Sequence, residues 1–237
     1  VYLSWPIEPG RLPAFVDAAR LLNIRGCSIT IPHKIDIIPL LDKTSENVRE
    51  MGACNTLYRD GEKICGENTD VIGFTAPLRK RSLSPETRVL VLGAGGVSRA
   101  AIAGLRRLGL ANITLTNRRK ERAEALCNEF GLLCAPWEER GDVPADLIIN
   151  TTPLGMTGAQ EHETPYPRAF QDNGIAYDLI YTPFQTRFLR DAAAAGWETV
   201  SGLDMFIGQG DAQFHLWTGH HLPEEAITAV TSALYGQ

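Results

Sequence analysis

The chain is poor in the residues that would open several functional classes. Its five cysteines, Cys27, Cys54, Cys65, Cys127 and Cys134, are odd in number and include no C-x-x-C pair. That excludes a disulfide framework and a cysteine zinc site, and fits reduced thiols in a cytoplasm. No positive excess exists: 23 lysines and arginines against 28 acidic residues leave a formal net charge of −5. The balance gives neither nucleic acid nor an anionic membrane as a partner. No apolar run reaches the roughly 18 residues of a membrane-spanning helix, and no secretory leader is visible. Of His33, His215, His220 and His221, the pair His220-His221 has no carboxylate or cysteine at ligand spacing, and no metal is expected. His220-His221 reads as a helix C-terminal region.

What is present is an ordinary globular balance, 44% hydrophobic and 22% charged over 237 residues. Apolar runs and helical spacings alternate, which predicts an α/β fold. In the first segment, 12–22 has helical spacing, 27–31 is a short strand stopped by Pro32, and 48–51 closes a short helix. Strands at 55–58 and 63–65 flank the turn signal Asp60-Gly61. A helix over 69–81 leads to a polar stretch at 82–87, where a domain boundary is expected. The basic run Arg79-Lys80-Arg81 reads as a solvated face. Beyond it, strands are predicted at 89–92, 113–116, 147–150, 175–181 and 198–201. Helices at 97–108, 120–130 and 184–195 alternate with them. This is a βαβ series of the doubly wound, Rossmann-like type. Two helices, 205–217 and 224–234, close the chain.

The all-apolar strand Val89-Leu90-Val91-Leu92 runs into Gly93-Ala94-Gly95-Gly96-Val97 and then a helix. Strand, glycine turn and helix in that order are the context a dinucleotide fingerprint requires. Glycines admit the pyrophosphate to the backbone, and the helix start supplies N–H donors. Ser98 replaces the third glycine with another small residue. The next strand ends in Asn117-Arg118-Arg119-Lys120, with Arg122 nearby and no acid at its tip. An acid there grips an NAD ribose, whereas arginines hold a 2′-phosphate, so NADP is the expected cofactor.

Several segments collect small and polar residues at strand ends. They are T-I-P-H-K at 30–34, G-A-C-N-T at 52–56 and N-T-D-V-I-G-F at 68–74. With G-A-G-G-V-S-R-A, N-R-R-K-E-R-A, N-T-T-P-L-G-M, Y-D-L-I-Y and the helix of Gln209, they form an ordered set over nearly the whole chain. This set resembles the shikimate dehydrogenase family. The resemblance implies NADPH-dependent, reversible reduction of 3-dehydroshikimate to shikimate in chorismate and aromatic amino-acid biosynthesis. It implies Lys34 and Asp70 as the catalytic pair and Thr30, Asn55, Tyr181 and Gln209 as substrate contacts. On the cofactor side, it adds Leu179, Gly202 and Met205 near the nicotinamide.

The implied layout is a substrate domain at 1–77, an NADP domain at 78–204 and helices at 205–237 returning to the substrate domain, with the active site in a cleft. A cytoplasmic monomer or homodimer is expected. The chain opens on Val1-Tyr2-Leu3-Ser4-Trp5, which reads as the middle of a strand, so a preceding strand and paired-serine turn typical of the family are expected upstream. As written, without that turn, the chain is expected to turn over or fold poorly. Asp204 stands where the family pattern G-L-G-M has glycine, and Ser28 stands for the usual asparagine. The alternatives are a quinate/shikimate dehydrogenase with relaxed substrate or cofactor choice, and a nucleotide-binding regulator without turnover.

Overall fold

A computed structural model describes residues 2–30 and 32–235. The elements in chain order begin with α1 (Leu12–Leu21), β1 (Gly26–Ser28), β2 (Lys43–Thr44), α2 (Glu46–Met51), β3 (Thr56–Asp60) and β4 (Lys63–Glu67). Next come α3 (Thr69–Leu78), β5 (Val89–Leu92), α4 (Gly96–Arg107), β6 (Ile113–Thr116), α5 (Lys120–Phe130) and β7 (Leu133–Cys134). The last are β8 (Leu147–Asn150), β9 (Ile175–Asp178), α6 (Arg187–Ala194), β10 (Glu198–Val200), α7 (Gly202–Thr218) and α8 (Glu224–Tyr235). The chain falls into two compact units, one of residues 1–71 with 210–222, the other of 72–209 with 223–237.

The first unit carries a four-stranded sheet in the order β1-β3-β4-β2. Its centre is the β3–β4 hairpin, paired from Thr56↔Glu67 to Asp60↔Lys63. The loop is Gly61-Glu62, one residue later than the turn signal suggests, with Gly61 at φ 61°. The register puts Leu57 and Ile64 inside, against Leu12 and Val16 of α1 and Val48 of α2. Strand β1 stops at Ser28, shorter than expected, and Ile31 lies outside the described residues. Residues 2–8 form no strand: Pro6 and Pro9 remove the N–H groups a ladder needs, and Val1 lies outside the described residues.

The second unit carries a six-stranded parallel sheet in the order β10-β9-β8-β5-β6-β7. Numbered along the unit, this is the 3-2-1-4-5-6 order of a doubly wound dinucleotide fold, with its switch point between β5 and β8. Strands β5 and β8 are buried at every position, as the unbroken apolar runs require. Helix α3 meets the first turns of α7 at two glycines: a Cβ on Gly73 would lie 2.5 Å from the Met205 carbonyl, and one on Gly208 would lie 3.1 Å from Gly73 Cα.

Three predicted elements end early and one starts late, for local reasons. Strand β9 stops at Asp178 because the Ile180 N–H turns back to Asp178 Oδ1 at 3.0 Å, leaving Tyr181 outside the sheet. Helix α6 starts at Arg187, because Thr186 caps it by accepting from the Leu189 N–H at 3.3 Å. Helix α3 ends at Leu78, one residue after Pro77. Strand β10 ends at Val200, one residue short, because Ser201 begins the cap of α7. Arg81 is no solvated charge: it pairs with Glu198 at 2.7 Å and is mostly covered.

Candidate active site

The lysine and the carboxylate of the first unit meet. Beyond β1, Pro32 leads into a tight turn that carries Lys34. The Lys34 carbonyl accepts the Cys54 N–H at 2.7 Å, and the Asn55 carbonyl accepts the Ile29 N–H at 2.7 Å. These bonds place the Lys34 turn beside the start of β3. Asp70 stands in the first turn of α3, where a negative charge suits the helix dipole. Lys34 Nζ donates to Asp70 Oδ2 at 2.9 Å, with both side chains about one-quarter to one-third exposed. Asn55 Nδ2 donates to the other carboxylate oxygen at 2.8 Å. The ammonium is thus held and still open to a reactant, an arrangement suited to proton transfer. Cys54, buried beside the pair, is no nucleophile, because burial pushes its thiol up to about 11.

Thr30 is exposed, its carbonyl accepting the His33 N–H at 2.9 Å, and it lines a hollow of about 780 Å³ with Trp5, Phe15 and Trp217. Tyr181 and Gln209 belong to the second unit. Tyr181 is exposed and stacked on Phe206 with centroids 5.0 Å apart. Gln209 is half-buried on α7, its Nε2 donating to the Phe206 carbonyl at 3.1 Å.

In the second unit a cavity of about 340 Å³ opens at the carboxyl ends of β5, β6 and β8, at the switch point. Gly93, Ala94 and Gly95 form one wall, Thr151 to Leu154 another, and Asn117, Arg118, Arg119 and Arg122 the rim. Gly93 has φ 116°, and a Cβ there would lie 2.4 Å from Thr151 Oγ1, so only glycine fits. Cβ atoms on Gly95 and Gly96 would meet open space, which leaves room for a ligand against the backbone. Ser98 is not merely a small substitute for glycine. Its hydroxyl accepts the Gly95 N–H at 3.0 Å and lies 2.7 Å from Thr151 Oγ1, tying the turn to β8. Four basic residues, Arg118, Arg119, Lys120 and Arg122, crowd the start of α5, where the dipole disfavours them. An anionic ligand at the rim would offset that cost. Trp137 and Arg140 also line the cavity, the guanidinium 3.9 Å above the indole. Neither was legible as a site residue, because the strand that leads to them, β7, has only two residues and carries no pattern.

Leu179, Gly202 and Met205 lie together where β9 exits and α7 begins. The Leu179 N–H donates to the Asn150 carbonyl at 3.0 Å, and a Cβ on Gly202 would come within 2.5 Å of the Leu179 and Ile180 carbonyls. Met205 is buried among the core residues. Asp204, out of pattern for the family, caps α7: it accepts the Ser201 N–H at 3.3 Å while Ser201 Oγ accepts the Leu203 N–H at 3.2 Å.

Asp178 is the buried carboxylate of this unit. It accepts from Thr186 Oγ1 at 2.6 Å, Asn150 Nδ2 at 2.9 Å and the Ile180 N–H. Burial pushes its carboxyl up to about 7 despite those bonds. The folded state therefore binds a proton that the unfolded chain has released above pH ~4. Stability from this group is full below that pH and lost as pH rises through about 7. In Asp178→Asn, the stability gained relative to wild type should grow by about 2–3 kcal/mol between pH 5 and pH 8. Denaturant titrations at the two pH values measure it; a difference independent of pH would contradict the assignment.

A 3-2-1-4-5-6 parallel sheet with a glycine turn and an arginine-rimmed cavity at its switch point defines the class, the Rossmann-type α/β proteins. The chain matches the shikimate dehydrogenase substrate binding domain over residues 1–57, the shikimate / quinate 5-dehydrogenase family over 78–139 and the shikimate 5′-dehydrogenase C-terminal domain over 202–230. It is 56% identical to a shikimate dehydrogenase (NADP(+)) of Pelobacter propionicus, across 99% of this chain and 86% of that protein. A counterpart of the same name from Oleidesulfovibrio alaskensis is 48% identical across 98% and 85%. Among solved structures, a Thermus thermophilus shikimate 5-dehydrogenase in complex with NADP(H) and shikimate superposes with a TM-score of 0.83 at 35% identity, covering 97% of this chain and 86% of that one. The chain belongs to the shikimate dehydrogenase family.

Proposed function

We infer that this protein reduces 3-dehydroshikimate to shikimate, reversibly, with NADPH as the reductant. The observation that carries the chemistry is the Lys34–Asp70 pair at 2.9 Å in a chain whose relatives are NADP-dependent shikimate dehydrogenases. When bound, NADPH supplies the hydride. Gly93, Ala94, Gly95, Gly96 and Val97 would hold its pyrophosphate, and Asn117, Arg118 and Arg122 its adenosine 2′-phosphate. The open space before Gly95 and Gly96 and the unfavourable basic cluster on α5 support that fit. Leu179, Gly202 and Met205 are proposed neighbours of the nicotinamide.

Reduction of a ketone develops negative charge on its oxygen, which then needs a proton. Lys34 holds that proton on Nζ. Asp70 accepts from Nζ and fixes its direction. Asn55 offers an amide to a substrate hydroxyl, and Thr30, Tyr181 and Gln209 are the proposed remaining contacts. Residues 1–77, 78–204 and 205–237 are proposed as the substrate domain, the NADP domain and the helices that complete the substrate domain.

Initial rates of shikimate and quinate oxidation with NADP⁺ and NAD⁺ test this function. Shikimate with NADP⁺ should be the fastest of the four pairings by at least about tenfold. Comparable rates on quinate would instead favour the broader dehydrogenase, and NADP⁺ binding without oxidation of either acid would leave only a nucleotide-binding role.

A further inference from the structure

Behind the Lys34–Asp70 pair runs a line of buried polar groups, of which the chemistry above uses Asn55 alone. Gln213 on α7 is 6% exposed, Asn55 3% and Thr56 0%. Such groups cost stability unless each is paired, so their bonds carry directional information. Tyr2 donates its hydroxyl to Ser28 Oγ at 2.7 Å, and Ser28 donates to Gln213 Oε1 at 2.9 Å. Gln213 Nε2 donates to Thr56 Oγ1 at 2.9 Å and to the Asn55 carbonyl at 3.4 Å. Thr56 Oγ1 donates to Asn55 Oδ1 at 2.7 Å, and Asn55 Nδ2 donates to Asp70 Oδ1 at 2.8 Å. Every donor points the same way, and the line ends on the carboxylate that holds Lys34.

The direction is forced at both amides. Asn55 Oδ1 also accepts from the Thr69 N–H at 2.8 Å and from Thr69 Oγ1 at 3.2 Å. Turning that amide over would set its NH₂ against an N–H donor and its oxygen against Asp70. Turning Gln213 over would set Oε1 against the Asn55 carbonyl. Thr56 has one hydroxyl proton; Gln213 presents a donor, and Asn55 Oδ1 at 2.7 Å is a nearer acceptor than Thr69 Oγ1 at 3.3 Å, which itself donates to Asn55 Oδ1. Asp70 then has a designated donor on each oxygen, Asn55 on Oδ1 and Lys34 on Oδ2.

We propose that Thr56 and Gln213 are positioning residues of the reaction: they order the Asn55 amide, which pins Asp70 and so fixes Lys34 Nζ. This rests on Lys34 as the proton donor. Lysine has a large rotamer freedom to lose, and a carboxylate free to rotate would not restrict it.

The test compares Thr56→Val, which keeps shape and removes the hydroxyl, with Thr56→Ser, which keeps the hydroxyl. kcat for shikimate oxidation is measured per NADP⁺-binding site, together with Kd for NADP⁺. Loss of one network bond of about 1 to 1.5 kcal/mol should lower kcat in Thr56→Val about five- to tenfold, with Kd for NADP⁺ unchanged. Thr56→Ser should return kcat to within about twofold of the wild type. A serine variant as slow as the valine variant would overturn the proposal, because shape and not the hydroxyl would then matter. If Thr56→Val does not fold, Gln213→Met gives the same readout, and turnover within about twofold of the wild type there would equally overturn it. Lys34→Ala separates the levels. If it keeps its turnover, the acid/base assignment falls and takes the positioning role with it. If it is inactive while Thr56→Val and Gln213→Met turn over normally, the positioning role alone falls.

Discussion

Lys34→Ala should lower kcat for shikimate oxidation by about 10²- to 10⁴-fold while leaving the affinity for NADP⁺ within about twofold. The separation follows from the composition of the two sites. Lys34 contacts Asp70 through its side chain and Cys54 through its backbone, both in the first unit. The cavity of about 340 Å³ is lined by residues of the second unit. Removing the ammonium takes away the proton source and leaves the glycine turn and arginines untouched. The backbone bond from the Cys54 N–H to the Lys34 carbonyl survives the substitution, so the turn itself should hold. Isothermal titration with NADP⁺ beside steady-state assays reads both quantities. A variant within about tenfold of wild-type kcat would show that another group delivers the proton.

The second large effect concerns cofactor choice. Arg118→Ala with Arg122→Ala should weaken NADPH about a hundredfold and leave NADH within about threefold, because two charge-assisted bonds to a 2′-phosphate are worth about 3 kcal/mol together. Both residues are exposed at the rim, so the effect should shrink as salt is raised. The double variant should also lose a little of the repulsion between Arg118, Arg119, Lys120 and Arg122 and the dipole of α5 and gain slightly in stability without ligand. Competition measurements with both cofactors decide the matter. Equal weakening of NADPH and NADH would mean that the arginines hold something both cofactors share.

The sequence was most legible where burial is two-sided. The runs at 89–92, 113–116 and 147–150 coincide with β5, β6 and β8, because a parallel strand covered on both faces is a short run dominated by apolar and β-branched residues. Strands β2 and β7 went unread: each has two residues, and Lys43-Thr44 and Leu133-Cys134 carry no alternation to recognise. Tyr181 looked like part of a strand because five apolar or aromatic residues precede it, interrupted only by Asp178. The side chain of that aspartate ends the strand by capturing the next-but-one N–H. The Lys34–Asp70 pair was legible only through its companion motifs, since 36 positions separate the two residues and no local pattern joins them. Gln213 was missed for the opposite reason. It lies one turn after Gln209 in the same helix, and two glutamines on a helix look like ordinary polar surface until one is found buried. Ser98 and Asp204, which depart from pattern, both turned out to satisfy backbone N–H groups at helix starts.

The β3–β4 hairpin has its two ends in very different circumstances. Asn55 and Asn68 flank the open end, next to Asp70, whereas Gly61-Glu62 turns in open space five paired residues away. At about 3.4 Å per residue, that is roughly 17 Å of strand between the loop and the chemistry. The open end is tied across by the Asn55 N–H donating to the Glu67 carbonyl at 3.1 Å and by Asn55 Oδ1 accepting the Thr69 N–H at 2.8 Å, whereas a side chain at Gly61 would meet nothing. The far end of the hairpin is therefore a handle: a place where length can vary, or a probe or tether be inserted, while the distance between Lys34 and Asp70 stays as it is.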